Sequence, residues 1–358
     1  MRSIEESKAY RLLMFNAIKN HLPLNVLVEL TYHCNLDCLC CYNVNQPGKL
    51  LQLDEYDRLF KELRDAGTFL VTLTGGEPLM RKDFFDILAL VREHGFAVRI
   101  FTNGTLLDEK RVIRLKQYDI SGVELSIWGS TPEINDRLMG KPGAYEKILN
   151  AARLLVKHDI ITTVKTTICA ENYIDFKNIK DLVRGTGAQF RYSMLLSLKS
   201  DGDPGNYLHR LNAEQFKEFY RIHDQDAEPE ELEKDLIDDE VLRQSRELPD
   251  YMCLAGISSC KIDPFGHVNP CVDIPVVAGN IREQDFRTIW KEAPVLTELR
   301  GLRKSDATDC LQCDLKDHCH RCPGMALLES GSLTAKYDYG CLMAATDKLF
   351  RNKINFPR

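Results

Sequence analysis

The sequence predicts an α/β fold on a parallel sheet, followed by a thiol-rich module with little apolar core of its own. Three observations carry that prediction. From residue 25 to about 196, apolar runs of strand length alternate with amphipathic helical stretches. The stretch after each of the first four strands is rich in cysteine, glycine or small polar residues, and in parallel α/β folds the working site lies at those strand ends. From Cys253 onward long periodicity fades, and eight of the thirteen cysteines are found there.

The elements follow in order. "NVLVEL" (25–30) is an apolar strand ending just before the first cysteine. Leu53, Tyr56, Leu59, Phe60 and Leu63 recur at helical spacing and stop at Gly67, a C-cap signal. "FLVTL" is a buried strand. A helix carrying Phe84, Ile87, Leu88 and Val91 ends at Gly95 and leads to the strand "AVRIF". A short helix near 109–118 precedes "VELSI", a helix over 145–158 precedes "ITTVKTTI", and one over 174–185 precedes "FRYSML". Six strand–helix units of this kind make a parallel sheet with helices outside, either open or a full or partial barrel. The expected organisation is an N-terminal helical extension (1–24), an α/β core (25–223), an acidic linker or helix (224–250), a cysteine-rich domain (251–345) and a C-terminal tail (346–358). The acidic stretch holds twelve acids and three bases. It reads as a solvated linker or surface helix, with a docking surface for a basic partner as the sharper alternative.

Composition narrows the class. Over 358 residues, 44% hydrophobic and 28% charged content describe a soluble globular chain, and a formal charge of -6 argues against a general nucleic-acid binder. No apolar run approaches the roughly 20 residues of a membrane span, and "MRSIEESKAYRLLMF" lacks the features of a signal peptide. A cytoplasmic protein with no membrane or nucleic-acid partner is expected. In a reducing compartment thirteen cysteines point to metal rather than to disulfides.

"CNLDCLCC" places Cys34, Cys38 and Cys41 at C-x3-C-x2-C spacing. Three thiolates on a tight loop can hold three irons of a 4Fe–4S cluster and leave the fourth open. Structural zinc is the alternative, with Cys40 as a fourth ligand. The spacing, its place after the first strand, and the "TGGEP" that follows the second strand resemble the radical S-adenosylmethionine (SAM) enzymes. "ELTYHCNLDCLCCY" looks like their cluster loop, with Cys40 where many members have His. The resemblance implies a partial (βα)6 TIM-like barrel, a cluster on Cys34, Cys38 and Cys41, Cys40 as a non-ligand, and SAM chelating the open iron. Reductive cleavage of SAM would then release a 5′-deoxyadenosyl radical that takes hydrogen from substrate. By the same resemblance Tyr42, Gly75, Gly76, Glu77, Asn103, Ser126, Arg137, Met194 and Leu195 contact SAM. For each of the later residues the plain alternative is a polar or packing residue at a strand end.

The C-terminal cysteines, taken by composition, describe only a thiol-rich metal-binding module, and its two C-x2-C pairs leave zinc open. Their order resembles the SPASM domain, the auxiliary-cluster extension of some radical SAM enzymes: Gly266 and Cys271 match G-x4-C, and Cys310, Cys313 and Cys319 match C-x2-C-x5-C. Cys322 follows after two residues where the family more often has three. The resemblance implies one 4Fe–4S cluster on Cys253, Cys260, Cys271 and Cys322, and another on Cys310, Cys313, Cys319 and Cys341. With the first cluster that makes three. Cys40 and Cys169 are left over, the latter read as a buried core thiol. "GNIREQDFRTIW" also resembles SPASM sequence. Asp273 is a tentative acid or base.

SPASM-bearing relatives often modify ribosomally made peptides, so the resemblance implies a peptide maturase working with a reductant such as flavodoxin or ferredoxin. The first strand begins by residue 25, so a separate leader-binding partner, or a substrate without a leader, is expected. A small-molecule enzyme acting on tetrapyrrole side chains is the alternative within the family. A zinc-bound structural or interaction protein is the alternative outside it.

Overall fold

The computed structural model describes residues 8–226 and 249–351. Six parallel strands come first: Asn25–Glu29 (β1), Leu70–Thr74 (β2), Ala97–Thr102 (β3), Gly122–Ser126 (β4), Thr162–Thr167 (β5) and Gln189–Ser193 (β6). They lie side by side in chain order, and every neighbouring pair is parallel. The sheet does not close. β6 is an edge, and beyond β1 the sheet continues into Ser259–Ile262 (β7), His267–Asn269 (β8) and Gly279–Asn280 (β9). β7 is parallel to β1, whereas β8 and β9 run antiparallel. An unclosed run of six parallel strands is what the expected partial barrel requires, and the cysteine-rich segment lends it three further strands.

Helices cover one face. Ahead of β1 lies Lys8–Asn20 (α1), whose Tyr10 and Ala17 pack with Leu24 and Phe69. Leu53–Asp65 (α2), Phe84–Glu93 (α3), Glu109–Lys116 (α4), Ala144–Lys157 (α6) and Phe176–Arg184 (α7) are the crossover helices that periodicity predicts. In α2 the apolar stripe Tyr56, Leu59, Phe60 and Leu63 is wholly buried. Its first turn is held by Glu55, which accepts from the Gln52 amide at 2.9 Å. Two helices escape the periodicity reading: Pro132–Leu138 (α5), only seven residues long, and Ala213–Asp226 (α8).

The C-terminal part is more helical than its sequence suggests. It contains Phe286–Glu292 (α9), Pro294–Gly301 (α10), Pro323–Ser330 (α11) and Asp338–Arg351 (α12), so the last helix crosses the expected boundary at 346. The "GNIREQDFRTIW" segment docks on α2. There Arg282 forks onto Glu55, Glu62 accepts from the Phe286 amide at 2.7 Å, and Arg58 donates to the Ile281 carbonyl at 2.9 Å. α12 packs on α8 through a second apolar cluster that includes Phe216, Phe219, Met325 and Tyr339. Residues 227–248, most of the expected acidic linker, lie outside the described residues.

Candidate metal centres and cofactor site

The loop leaving β1 gathers Cys34, Cys38 and Cys41. Loss of hydration raises all three thiols above the usual range; Cys38 is raised further by Cys41 and Cys34, and Cys41 by Cys34. A bound cation reverses that penalty, since coordination deprotonates a thiol outright. The loop is braced from below by the end of α5: the Leu39 amide donates to Leu138 O at 2.8 Å and the Asp37 amide to Met139 O at 3.2 Å. Cys40 points elsewhere. It is buried in the core beside Cys169, close enough for the neighbouring thiol and burial together to raise its pKa. Thus the two leftover cysteines meet, and Cys40 is turned from the tripod's open corner.

The spacing of the thiols also bears on what they hold. Among the described residues, one group of three or more Cys, His, Asp or Glu has all its ligand atoms within 4.8 Å of one another: Cys40, Glu171 and His209. Neither the tripod nor the C-terminal thiols pack that tightly. A single tetrahedral zinc needs its ligands closer than a four-iron cluster does, so the wider spacing suits a cluster.

"TGGEP" follows β2 and presses on the base of the same loop. A Cβ on Gly75 would lie 2.3 Å from Thr31 O, and one on Gly76 would lie 2.3 Å from His33 O. The Gly76 amide donates to Thr31 O at 2.7 Å and the Glu77 amide to His33 O at 2.9 Å. The glycines thus let two backbones meet beside Cys34. Glu77 is wholly buried, and its carboxylate accepts from the Leu79 amide (3.0 Å), the Thr102 hydroxyl (2.7 Å) and the Asn103 amide (2.7 Å). Burial pushes its pKa up to about 7 in spite of these donors. Two of these bonds tie it to the end of β3. Asn103 in turn reaches Cys34 Sγ at 3.7 Å and Asn35 Oδ1 at 2.9 Å.

The other expected SAM contacts are more dispersed. Ser126 closes β4 on the open face, and Arg137 is exposed on α5, directly before the residues that brace the tripod loop. The Tyr42 hydroxyl is committed to Glu29, donating at 2.9 Å. Met194 packs against the C-terminal helices and its carbonyl accepts from Tyr339 at 3.2 Å, while Leu195 is exposed.

Polar residues that motif reading does not single out line the open face of the sheet. Glu29, fully buried on β1, pairs with Lys261 of β7 at 3.3 Å, and desolvation raises its pKa against the pull of Lys261 and Tyr42. Glu124 on β4 pairs with Arg99 at 3.4 Å and with Lys165. The signal was present in "NVLVEL" and "VELSI", where an acid interrupts an apolar strand.

Two further thiol sets form in the C-terminal part. Cys310, Cys313, Cys319 and Cys341 converge, each close enough to affect another's ionisation. Cys253, Cys271 and Cys322 form a second set in the same sense, where burial pushes Cys271 up to about 12. The structure does not bring Cys260 to that trio. Cys260 lies opposite Val26 in the β1–β7 register and faces the helix-side core, with Arg300 the charge acting on it. Lys261, one residue on, takes the other face, as strand alternation requires. Asp273 borders the trio: its charge raises both Cys271 and Cys322, the Ser197 hydroxyl donates to it, and desolvation raises its own pKa.

An open parallel α/β sheet with a thiol tripod at the end of its first strand, and thiol sets in an appended module, defines an iron–sulfur enzyme of the radical SAM type. Comparison with known proteins makes the assignment. Residues 28–183 match the Radical SAM superfamily, and residues 253–323 match SPASM, an iron–sulfur cluster-binding domain. The chain is 31% identical over 340 residues to the AdoMet-dependent heme synthase of Methanosarcina barkeri, covering 88% of this chain and 96% of the relative. It is 26% identical over 352 residues to the PqqA peptide cyclase of Granulibacter bethesdensis, covering 93% and 91%. The structure of SuiB from Streptococcus suis, solved with S-adenosylmethionine, shares the fold at a TM-score of 0.68 and 19% identity, over 91% of this chain and 80% of SuiB. The same protein has been solved with its precursor peptide SuiA. The chain belongs to the radical SAM superfamily and carries a SPASM domain. Among the described residues no helix is long and apolar enough to cross a membrane.

Proposed function

We propose that this radical SAM enzyme modifies a ribosomally made peptide, using three 4Fe–4S clusters. Cys34, Cys38 and Cys41 hold the first. Cys253, Cys271 and Cys322 hold the second, with Cys260 outside the set. Cys310, Cys313, Cys319 and Cys341 hold the third. When bound, the first cluster and SAM together supply a 5′-deoxyadenosyl radical that takes hydrogen from the substrate.

The protein's part is positioning. Gly75 and Gly76 fix the base of the tripod loop, Glu77 orients Asn103 against Cys34, and Ser126, Arg137 and Leu195 remain available to the cofactor. The observation that carries this reading is the tripod itself, three converging thiols with Cys40 paired away from them. Asp273, beside the second thiol set and held by Ser197, is placed to accept a proton from substrate. A ferredoxin- or flavodoxin-like reductant supplies the electron.

The peptide class is supported by the peptide cyclase likeness and by the complete thiol quartet Cys310, Cys313, Cys319 and Cys341. A second reading, a tetrapyrrole with carboxylate side chains, is favoured by the 31% identity to a heme synthase. Anaerobic turnover with SAM and reductant, read by mass, separates the two. Loss of two hydrogens or of a residue from a peptide supports the first reading. Change in a tetrapyrrole, with no change in any peptide tried, replaces it with the second.

A further inference from the structure

We propose that Cys40, Cys169, Glu171 and His209 form a site for a zinc-class divalent cation, separate from the iron–sulfur positions. The four residues come from three places in the chain: Cys40 from the tripod loop, Cys169 and Glu171 from the loop after β5, and His209 from the turn at Pro204–His209. The ligand atoms of Cys40, Glu171 and His209 already lie within 4.8 Å of one another; Cys169 lies beside Cys40 but outside that group, so its thiol must turn inward to become the fourth ligand.

Ordinary core packing does not account for this group. Cys40 and Cys169 are 6% and 0% exposed, as inert core thiols often are, but inert thiols have no need of an acid and an imidazole beside them. The Glu171–His209 pair, 2.6 Å from Oε1 to Nδ1, accounts for one carboxylate oxygen. The other, Oε2, is buried without a hydrogen-bond partner. Such an oxygen beside two thiols is costly unless a cation meets it.

The frame around the ligands is rigid. Asn172 is buried and accepts from the Cys169 amide at 2.8 Å, while its own amide group donates to Trp128 O at 3.1 Å and Thr167 O at 3.0 Å. The Ala170 amide donates to His209 O at 2.9 Å, which ties the turn to the loop. Ligands held this way are preorganised.

The donor set selects the metal. Two sulfurs, one imidazole and one carboxylate suit a borderline-soft ion and disfavour magnesium or calcium. With Cys169 turned in, four protein ligands would complete a tetrahedral shell, which marks a structural rather than a catalytic zinc. Binding displaces one proton from each thiol, so two thiolates and one carboxylate face the dication. Because Cys40 lies between Cys38 and Cys41, such an ion would clamp the tripod loop to the exit of β5.

The test uses the full chain, prepared without oxygen, loaded first with iron and sulfide and then given zinc. About one tightly held zinc per chain is expected, with Zn–S near 2.3 Å and Zn–N/O near 2.0–2.2 Å by X-ray absorption. Cys40→Ala and His209→Gln should each lose at least about 80% of that zinc while iron content and circular dichroism stay at the wild-type level. Cys169→Ala serves as a second thiol variant if Cys40→Ala does not fold. Three results would overturn the proposal: no zinc retained by the iron-loaded wild type, zinc retained in folded variants, or a Cys40–Cys169 disulfide in the anaerobic protein.

Discussion

Gly76→Ala tests how the second strand's exit supports the cluster loop. The added Cβ would lie 2.3 Å from His33 O and 2.7 Å from both His33 C and Tyr32 O. These are backbone atoms and cannot rotate aside, so the strand end and the loop must part by roughly 0.7–1 Å to restore ordinary contact. Overpacking of this kind costs about 1–3 kcal/mol. Stretching the two hydrogen bonds that join the segments, Gly76 to Thr31 and Glu77 to His33, adds about 0.5–1.5 kcal/mol each. A total of roughly 2–6 kcal/mol follows. His33 adjoins Cys34, so the same displacement reaches the tripod, where a shift of about 1 Å reduces rate on the order of 100-fold. Urea unfolding measures the first effect and 5′-deoxyadenosine release from SAM the second. Gly301→Ala is the control, because nothing lies within 4 Å of a Cβ there. Wild-type stability and release rate in Gly76→Ala would refute the reasoning.

Other outcomes follow from the same geometry. Lys261→Met strands the fully buried Glu29 and should cost about 3–5 kcal/mol near neutral pH, less in acid where Glu29 takes up a proton; the double variant with Glu29→Gln should recover much of the loss, and a flat pH dependence would contradict it. Glu77 carries a pKa raised from 4.5 to about 7, so the folded state keeps a proton that the unfolded chain has lost. Its contribution therefore weakens stability as pH climbs through that window, and Glu77→Gln should flatten the slope between pH 4.5 and 7 in denaturant titrations. At pH 8 the glutamine amide faces the Asn103 N–H, a mismatch of about 1–3 kcal/mol. Cys260→Val should leave iron content unchanged whereas Cys271→Ala should lose about four irons per chain; equal losses would restore Cys260 to the second set.

Much of this was legible in the sequence, for physical reasons that also mark the limits. The crossover helices are long enough for their apolar period to stand out, and α2 buries the residues its pattern marks. α5 is too short for a period, and α12 carries the last thiol, Cys341, in its first turn, so its start reads as part of the cysteine pattern rather than as a helix. β7 is four residues, "SCKI", and once it is seen as a strand, alternation puts Cys260 with Ile262 on the core side and Lys261 opposite. The cysteine motifs reveal which thiols recur at ligand spacing but not which way each one points. The pairings of Cys40 with Cys169 and of Glu29 with Lys261 join residues far apart in sequence, which no local pattern records. Glu77 carries a motif, yet its three internal donors emerge only from the fold.

The account turns on three sulfurs holding a cluster whose fourth corner is free for SAM. The most direct measurement is 5′-deoxyadenosine release from SAM by the iron-loaded, chemically reduced chain, compared with Cys38→Ala that keeps about eight of about twelve irons. Sustained release by the wild type, lost at least about 100-fold in the variant, is the predicted result. No release from fully loaded wild-type protein, or undiminished release from Cys38→Ala, would contradict it.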